Sequence, residues 1–211
     1  MRIKAQIGFV MLGMIFLNIN IIAQTQQWNT KILDKGKITV KYRITNQVDA
    51  KGQEVLIIED SSSVTENLDF QKCITLLKDV LGHKEFTGDK VSKKVKDISE
   101  NESIVYYYAK NPWPIANSDC VARMTYYYDE TEKRALFQFT AAPSEFETGD
   151  VARMTNYNVT YSFRDLGGGM VEIIVTGKTS PPVKVPLWMI KSAFPGVPAK
   201  ALRKIVKLTK K

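Results

Sequence analysis

The sequence predicts a single α+β domain in which an antiparallel sheet is covered by a long C-terminal helix. Two observations predict this class. Between Val91 and Thr179, apolar residues recur at every second position, and no helical pattern interrupts them. From Pro186 to Lys211, apolar residues recur at three- and four-residue steps, as in an amphipathic helix. Strands that follow one another without helices form antiparallel sheets, and the apolar face of such a sheet needs a cover.

The strand pattern is cleanest around Tyr157, where Tyr157, Val159, Tyr161 and Phe163 share one face. The tract from Gly167 to Gly169 predicts a hairpin turn. The predicted strands of this part of the chain are Val91–Ser99, Ser103–Ala109, Val121–Asp129, Ala135–Ala142, Met154–Asp165 and Met170–Thr179.

Two helices and two strands are expected before Val91. Gln26–Leu33 predicts a short helix with Trp28 on its inner face. Ile38–Ile44 and Glu54–Asp60 predict strands. Ser63, with a glutamate three residues later, has the spacing of a helix N-terminal cap, and Thr65 or Asn67 could serve as the cap instead. The helical stripe that follows comprises Phe70, Cys73, Ile74, Leu77, Val80 and Leu81.

The C-terminal helical pattern is interrupted by Pro195 and Pro198. This break predicts two helical pieces, and it suggests that Pro186–Phe194 hinges as a lid. The apolar stripes comprise Leu187, Ile190 and Phe194, then Val197, Ala201, Ile205 and Leu208. The outer face is basic and comprises Lys200, Arg203, Lys204, Lys207, Lys210 and Lys211.

The positive charge of this 211-residue protein is concentrated at its C-terminus. The whole chain carries +8, whereas Ile173–Lys211 contains nine Lys or Arg and no Asp or Glu, so the rest is nearly neutral at −1. Nucleic-acid-binding domains combine a basic face with stacking aromatics or a known motif. The sequence has no such motif, so no nucleic-acid partner is expected. A basic helix favours contact with an anionic membrane surface instead.

The first 23 residues predict a secretory signal peptide. Arg2 and Lys4 precede the apolar run Ile7–Ile22, and Ala23 occupies the position before the expected cleavage. An uncleaved membrane anchor is the alternative, although about 16 apolar residues is short for a spanning helix. We therefore expect a domain over residues 24–211 that is exported to the periplasm or cell envelope of a bacterium.

The cysteines and the histidine predict neither a metal site nor an enzyme. Two separate buried thiols at Cys73 and Cys120 are favoured over a disulfide, although an exported protein permits one. Neither cysteine lies near His83 in a metal-binding pattern, so no zinc site is expected. His83 lies among charged residues and predicts a solvated surface position. We expect no catalytic residues and no cofactor.

The segment Asn111–Cys120, NPWPIANSDC, predicts a stiff corner between two tyrosine-rich strands. Each proline fixes its own φ and holds the residue before it extended. Trp113 is expected to lie buried beneath this corner, and Asp119 is expected to be a turn residue.

Aromatic and sulfur-containing side chains are in excess on the predicted strands. The simplest interpretation is that they fill the core. Because tyrosine runs place large side chains on both faces of a strand, they also suit the wall of an apolar pocket with polar handles. Arg123 and Arg153 each lie in a VARMT sequence and are expected on the solvent face, with a hydrogen-bonded cavity position as the alternative. The aromatic and sulfur residues concerned are Tyr106, Tyr107, Tyr108, Met124, Tyr126, Tyr127, Tyr128, Phe137 and Phe139.

Motifs at three separated points resemble one family. NPWPIANSDCV, from Asn111, resembles the central signature of the START (StAR-related lipid-transfer) domain family, commonly P-W-P, a small polar turn, R-D and F-V. Trp28 resembles the tryptophan of the family's N-terminal helix, and Asp34–Gly36 resembles its lead-in to the first strand. PLWMIKSAFPGVPAKALRKI, from Pro186, resembles its C-terminal ending. The resemblance covers nearly all of residues 24–211.

The sequence departs from this family at several positions. Ser118 stands where the family usually has arginine, and Cys120 stands where it usually has phenylalanine. Met124 falls near a position where some sterol-binding members carry a cavity arginine. Ser180–Pro186 replaces the usual approach to the last helix. These departures weaken any transfer of ligand identity, because a cavity without a buried arginine is more apolar.

The resemblance implies a helix-grip fold, in which a curved antiparallel sheet wraps around the C-terminal helix and encloses an apolar cavity. It implies a monomer that binds a lipid or similar hydrophobic molecule without catalysis, and transfer of that molecule is a further expectation. The alternatives are a cyclase- or aromatase-like enzyme and an envelope interaction protein whose core is filled by its own side chains. The residues expected to contact the ligand are Tyr106, Tyr108, Trp113, Met124, Tyr126, Phe137, Phe139, Trp188, Ile190 and Phe194.

Overall fold

The computed structural model describes residues 27–48, 52–113, 115–147, 149 and 151–210. The expected signal peptide, residues 1–23, lies outside this part of the chain. The helices are α1 (Phe70–Lys78), α2 (Lys84–Thr87), α3 (Leu187–Ala193) and α4 (Gly196–Thr209). The strands are β1 (Asn29–Leu33), β2 (Ile38–Val48), β3 (Glu54–Asn67), β4 (Val91–Ser99), β5 (Glu102–Ala109), β6 (Ser118–Asp129), β7 (Arg134–Ala141), β8 (Ala152–Met154), β9 (Tyr157–Gly167) and β10 (Met170–Thr179).

The strands form one open sheet in the order β1-β2-β3-β10-β9-β7-β6-β5-β4, and β8 pairs with β6 outside this path. Every pair along the path is antiparallel, and only the β6–β8 pair is parallel. The predicted antiparallel sheet and C-terminal helix are therefore confirmed. Gly167, Gly168 and Gly169 all have positive φ between β9 and β10, as the predicted hairpin turn requires.

Helix α4 packs its apolar stripe into the concave face of the sheet. Ala199, Leu202 and Ile205 are completely buried on this face of the helix. Val197 and Leu208 of the predicted stripe are 57% and 45% exposed, so the prediction is wrong at these two positions. The three buried side chains meet an inner sheet face that is rich in aromatic rings, including Phe137 and Phe163. Burying a leucine-sized side chain contributes about 2 kcal/mol, so this contact is a main source of stability.

Helix α1 lies at the end of the sheet that holds the β9–β10 turn, where the backbone N–H of Leu68 donates to the carbonyl of Gly169. Its first turn is capped by Asp69, whose carboxylate accepts a hydrogen bond from the backbone N–H of Lys72. The predicted caps at Ser63, Thr65 and Asn67 are wrong, because β3 continues to Asn67 and uses that stretch to pair with β10. The backbone N–H of Asp69 also donates to the carbonyl of Thr209 at 2.9 Å, which joins the start of α1 to the end of α4.

The predicted helix at Gln26–Leu33 is also wrong. Residues 29–33 form β1, which pairs with the edge of β2 from Asn29↔Tyr42 to Leu33↔Ile38. The unpaired backbone groups of β2 give this short segment hydrogen bonds that an isolated helix of its length does not match. Trp28 is 42% exposed instead of facing a core, and the guanidinium of Arg43 lies 5.0 Å from its ring centroid.

Both cysteines are free and buried, as expected. Cys73 lies on the inner side of α1 and Cys120 near the start of β6. Burial raises the thiol pKa to about 11 for Cys73 and about 12 for Cys120, so both remain protonated thiols at neutral pH. No helix among the described residues is long and apolar enough to cross a bilayer.

Candidate functional site at the mouth end of the sheet

One end of the sheet gathers the segments from which a binding site can be built. The strand registers bring together Ala109 at the end of β5, Ser118 at the start of β6, Tyr157 at the start of β9 and Thr179 at the end of β10. We call this the mouth end. The proline corner between β5 and β6, the connection from β7 to β9 and the approach to α3 all lie there. At the opposite end lie α1 and the glycine turn, and an open pocket of about 400 Å³ lies between them.

A cavity of about 80 Å³ lies at the mouth end. It has room for a few water molecules or a small polar head group. Ligand pockets are typically about 300–1,000 Å³, so the cavity as it stands holds only part of a lipid-sized ligand. Its lining residues are Asp89, Tyr107, Ala109, Ser118, Asp119, Cys120, Met154 and Tyr157.

A second, open groove of about 520 Å³ also lies at the mouth end. It separates the tip of the β2–β3 hairpin, at Val55 and Leu56, from the segment Pro181–Val185 that leads to Leu187 of α3. The approach to α3 is thus loosely packed against the sheet, and the mouth end has space beside it.

Behind the cavity, His83 and Tyr107 form a buried polar pair. The Tyr107 hydroxyl lies 2.8 Å from Nδ1 of His83, and Nε2 lies 2.9 Å from the carbonyl of Leu77. A carbonyl only accepts, so Nε2 carries the ring proton and Tyr107 donates to Nδ1. Burial lowers the pKa of His83 to about 4, which keeps the ring neutral. Both ring nitrogens are therefore engaged within the fold, and the prediction of a solvated histidine is wrong.

Asp89 is the acidic group of the cavity wall that has no cationic partner. It lies in the loop between α2 and β4, and no described Lys, Arg or His forms an ion pair with it. Burial raises the pKa of its carboxyl. Burial also raises the pKa values of Tyr107 and Tyr157, and the nearby charge of Asp89 adds to both shifts. These groups therefore share one low-dielectric environment.

Asp119, by contrast, is fully paired. Its two carboxylate oxygens accept hydrogen bonds from the guanidinium of Arg153 at 2.9 and 2.8 Å. Asp119 lies within β6 and is 3% exposed, so its prediction as a turn residue is wrong. Paired with Tyr108 in the sheet register, it has the extended backbone of a strand.

Four of the predicted ligand residues lie in the interior, away from the mouth-end cavity. Met124, Phe137 and Phe139 belong to the main core, and Tyr126 packs against it. The rings of Tyr126 and Phe137 have centroids 4.8 Å apart. Phe139 meets His83 edge-on, with centroids 5.8 Å apart. These side chains pack against one another, and Met124, Tyr126 and Phe137 also line a partly open pocket of about 160 Å³ at the other end of the sheet.

Tyr106 and Tyr108 are on the opposite face of the sheet from Tyr107, and their role as ligand contacts stays a prediction. Strand alternation turns Tyr107 inward and its two neighbours outward. Tyr106 belongs to an outer cluster with Ile104 and Val121, and its ring lies 5.4 Å from that of Phe146. Tyr108 packs against the same cluster.

The remaining predicted residues lie around the mouth end with different exposure. Trp113 is 94% exposed, which corrects the expectation that it is buried beneath the corner. Trp188 on α3 is 69% exposed, whereas Ile190 is buried. Phe194 stacks obliquely on Tyr42 of β2, with ring centroids 5.3 Å apart. Only Ile190 and Phe194 of this group pack inward.

Sequence reasoning missed His83, Asp89 and the inward role of Tyr107 at the site. The alternation within β5 separates Tyr107 from Tyr106 and Tyr108, but it does not say which face is concave. Asp89 and His83 lie in loops and short turns, where no periodic pattern reports burial. Among the described residues, no group of three His, Cys, Asp or Glu is placed to hold a metal ion.

No protein-family model and no curated protein matches the chain. Solved structures match it in fold. A STAR-related lipid transfer protein from Xanthomonas axonopodis has a TM-score of 0.69 and 18% identity, over 85% of this chain and 97% of that one. Human StAR-related lipid transfer protein 5 has a TM-score of 0.69 and 11% identity, over 89% of this chain and 88% of that one.

An enzyme of the same architecture is also similar. The Zhui aromatase/cyclase from a Streptomyces species has a TM-score of 0.53 and 10% identity, over 72% of this chain and 92% of that one. At such identities the likeness concerns the fold, and the fold serves both lipid transfer proteins and an enzyme. The resemblance drawn from the proline corner and the two ends of the chain is therefore confirmed for the fold. The chain has the helix-grip fold of StAR-related lipid-transfer domains.

Proposed function

We propose that this protein binds a lipid or similar hydrophobic molecule between the sheet and the C-terminal helices, without catalysis and as a monomer. The observation that carries the proposal is the mouth-end cavity, whose wall combines apolar side chains with a few polar groups. Removing apolar surface from water is worth about 25 cal/mol per Å². A lipid-sized ligand therefore needs an apolar lining and a cover more than it needs a reactive group.

Helix α3 is the cover in this proposal, because its attachment is weak. Of the described residues, none outside Pro186–Ala193 is hydrogen-bonded to it. Its inward packing consists of Ile190, with Phe194 just after it. Exposing one such side chain costs about 2–3 kcal/mol. A ligand that buries its own chain in the space released by α3 therefore offsets the free-energy cost of moving the helix outward.

The geometry of the histidine supports a non-catalytic role. General acid–base catalysis needs a group that can exchange a proton with the substrate. His83 has both nitrogens engaged by Leu77 and Tyr107, and the two thiols have raised pKa values. Asp89 and Tyr107 are the groups that an enzyme built on this cavity would have to use.

The binding proposal is tested by gentle purification, native mass spectrometry and organic extraction of the protein. We expect a co-purifying hydrophobic molecule that is released unchanged on extraction. A protein that carries no co-purifying molecule and takes up no added lipid contradicts the proposal and favours a core filled by its own side chains. Chemical conversion of the bound molecule contradicts the non-catalytic role.

The role of α3 is tested by exchange kinetics of a bound fluorescent fatty alcohol. Ile190→Ala is expected to speed release, because it removes the buried anchor of the cover. Lys191→Ala changes the adjacent exposed position and serves as the matched control. Equal release rates in the two variants would exclude α3 as the cover.

We further propose that the mouth end and α4 meet an anionic membrane surface. Trp113 and Trp188 present exposed indoles, which favour membrane interfaces. Lys200, Lys204 and Lys207 lie on α4 and attract anionic lipid. Changing these three lysines to glutamate is expected to abolish sedimentation with anionic vesicles at low salt, whereas the unchanged protein binds and is released by salt. Vesicle binding that survives the three changes counts against this contact.

The location of the protein is likewise a proposal. We propose export through the leader at residues 1–23, followed by residence in a bacterial periplasm or cell envelope. Cell fractionation and N-terminal sequencing test this. A mature N-terminus at Gln24 supports it, and an intact Met1 in the soluble cytoplasmic fraction contradicts it.

A further inference from the structure

The mouth-end cavity has an electrostatic character that narrows the class of ligand. Its wall carries two carboxyl groups, Asp89 and Asp119, and one of them already forms an ion pair within the protein. Asp119 gives both oxygens to Arg153. Asp89 has no ion-pair partner among the described residues, so its charge is the one that an entering group meets.

The neighbouring phenol also has a fixed role. The proton of the Tyr107 hydroxyl is donated to Nδ1 of His83, because the carbonyl of Leu77 holds the ring proton on Nε2. The phenolic oxygen keeps only acceptor capacity. Ser118 accepts a hydrogen bond from the side-chain amide of Asn111 at 3.3 Å, which fixes its position at the rim. Asp89 and Tyr107 therefore offer acceptors to an entering group, whereas the Ser118 hydroxyl keeps its own proton to donate.

We infer that this cavity is the subsite for the polar head of the ligand and that it takes a hydrogen-bond-donating head, a hydroxyl or a primary amine, rather than a phosphate or a carboxylate. This inference rests on the proposed binding function and deepens it. The volume of about 80 Å³ suits a head of a few atoms. The hydrophobic chain of the ligand then extends from it under α3.

The preference follows from the cost of burying unpaired polar groups. A donor that enters the cavity gives Asp89, which has no ion-pair partner among the described residues, a hydrogen bond in addition to the one from Thr87. An anionic head instead brings a second negative charge next to Asp89 in a poorly solvated space, where like charges repel strongly. An ether of the same length fills the space but supplies no donor.

The test compares four probes of one chain length: dodecanol, dodecylamine, dodecanoate and dodecyl methyl ether. Isothermal titration or native mass spectrometry on the purified full chain gives their relative affinities. We expect the alcohol and the amine to bind about tenfold or more tightly than the ether and the dodecanoate. Preference for the alcohol alone identifies a hydroxyl head, and preference for the amine alone identifies a cationic one.

Variants of the acidic group sharpen this comparison. Asp89→Asn removes the charge and is expected to reduce amine binding about tenfold, with a smaller loss for the alcohol. Asp97→Asn changes an exposed acid on β4 and is the matched control. An unchanged circular dichroism spectrum and melting temperature establish that each variant is folded, and the four-probe comparison on the unchanged protein needs no variant.

The outcomes distinguish a failure of the head-group subsite from a failure of the proposed binding function. If all four probes bind alike, or dodecanoate binds best, the subsite inference is wrong while the binding proposal stands. If the probes separate as expected but Asp89→Asn changes nothing, Asp89 is not the acceptor and the inference is again wrong. If no probe binds at all, the proposed binding function fails, and the subsite fails with it.

Discussion

Arg153 holds Asp119 through two parallel hydrogen bonds, from Nε at 2.9 Å and from Nη2 at 2.8 Å. The remaining nitrogen, Nη1, donates to the carbonyls of Pro143 and Phe146. A single side chain thereby pins the β7–β9 connection to the start of β6. Phe146, held in this way, covers Tyr106 on the outer face of the sheet. The Arg153–Asp119 pair therefore fixes the position of the β7–β9 connection against the outer face of the sheet at the mouth end.

Replacing the arginine is predicted to have different effects in the two VARMT sequences, because the partners of Arg153 and Arg123 differ in burial. Arg153→Leu removes the guanidinium that neutralises the carboxylate of Asp119, whose side chain is completely buried. We expect a loss of about 3–5 kcal/mol in the free energy of unfolding, measured by urea denaturation. Arg123→Leu is the matched control, because Arg123 pairs with Glu102 and Glu145 at a side-chain exposure of 43%. Its denaturation midpoint should hardly change.

A second change checks the cause. Replacing Asp119 and Arg153 together by leucine removes the buried charge along with its partner. We expect the double variant to recover much of the stability lost in Arg153→Leu. If it is less stable by the sum of the two single losses, the pair is not coupled as the structure indicates.

Tyr107→Phe is predicted to destabilise the protein by about 1–3 kcal/mol. The variant keeps the packed ring but leaves Nδ1 of His83 without its hydrogen bond in the interior. Urea denaturation at neutral pH measures the loss. Tyr127→Phe removes the same atom from a neighbouring strand at a side chain that is 61% exposed, and it should have no effect. Equal stability of the two variants would show that the Tyr107–His83 bond contributes nothing.

The single histidine is predicted to titrate far below its usual range. Burial lowers the pKa of His83 from 6.5 to about 4, so the folded state binds fewer protons than the unfolded state between these values. The stability that this group contributes is therefore complete above pH 6.5 and is lost as the pH falls towards 4. Because the chain has one histidine, its imidazole NMR signals are unambiguous.

The signal should remain that of a neutral Nε2–H ring down to about pH 5. Burial raises the pKa of Asp60 to about 6, which gives the opposite slope of stability in an overlapping range. The titration is for this reason followed on the histidine and not on global unfolding. A midpoint near 6.5 would mean that His83 is solvated, as the sequence had suggested.

Leu202→Ala on α4 is predicted to cost about 2–5 kcal/mol of unfolding free energy. Leu202 is fully buried between α4 and the sheet, and the aromatic face opposite cannot close over the space left behind. Leu208→Ala makes the same truncation on the same helix at a position that is 45% exposed, so its midpoint should shift little. Similar losses for the two would place α4 differently on the sheet.

Much of the sheet could be predicted because its strands carry a periodic pattern. In β9, Val159, Tyr161 and Phe163 alternate with polar residues, and they are the buried side chains of that strand. The same reasoning failed at β1, whose five residues carry too short a pattern to distinguish strand from helix. Its pairing with the free edge of β2 decided the matter, and that edge exists only in the folded protein.

The sequence by itself determined the order of the strands along the chain, the presence of an amphipathic C-terminal helix and the resemblance at the proline corner, because each is a local pattern of residues. Only the tertiary structure decided that Tyr107 faces inward, that His83 is buried against it and that Trp113 is exposed. Those outcomes depend on which face of the sheet is concave and on which loops fold over its end. Contacts between residues far apart in the chain set both, and no local pattern reports them.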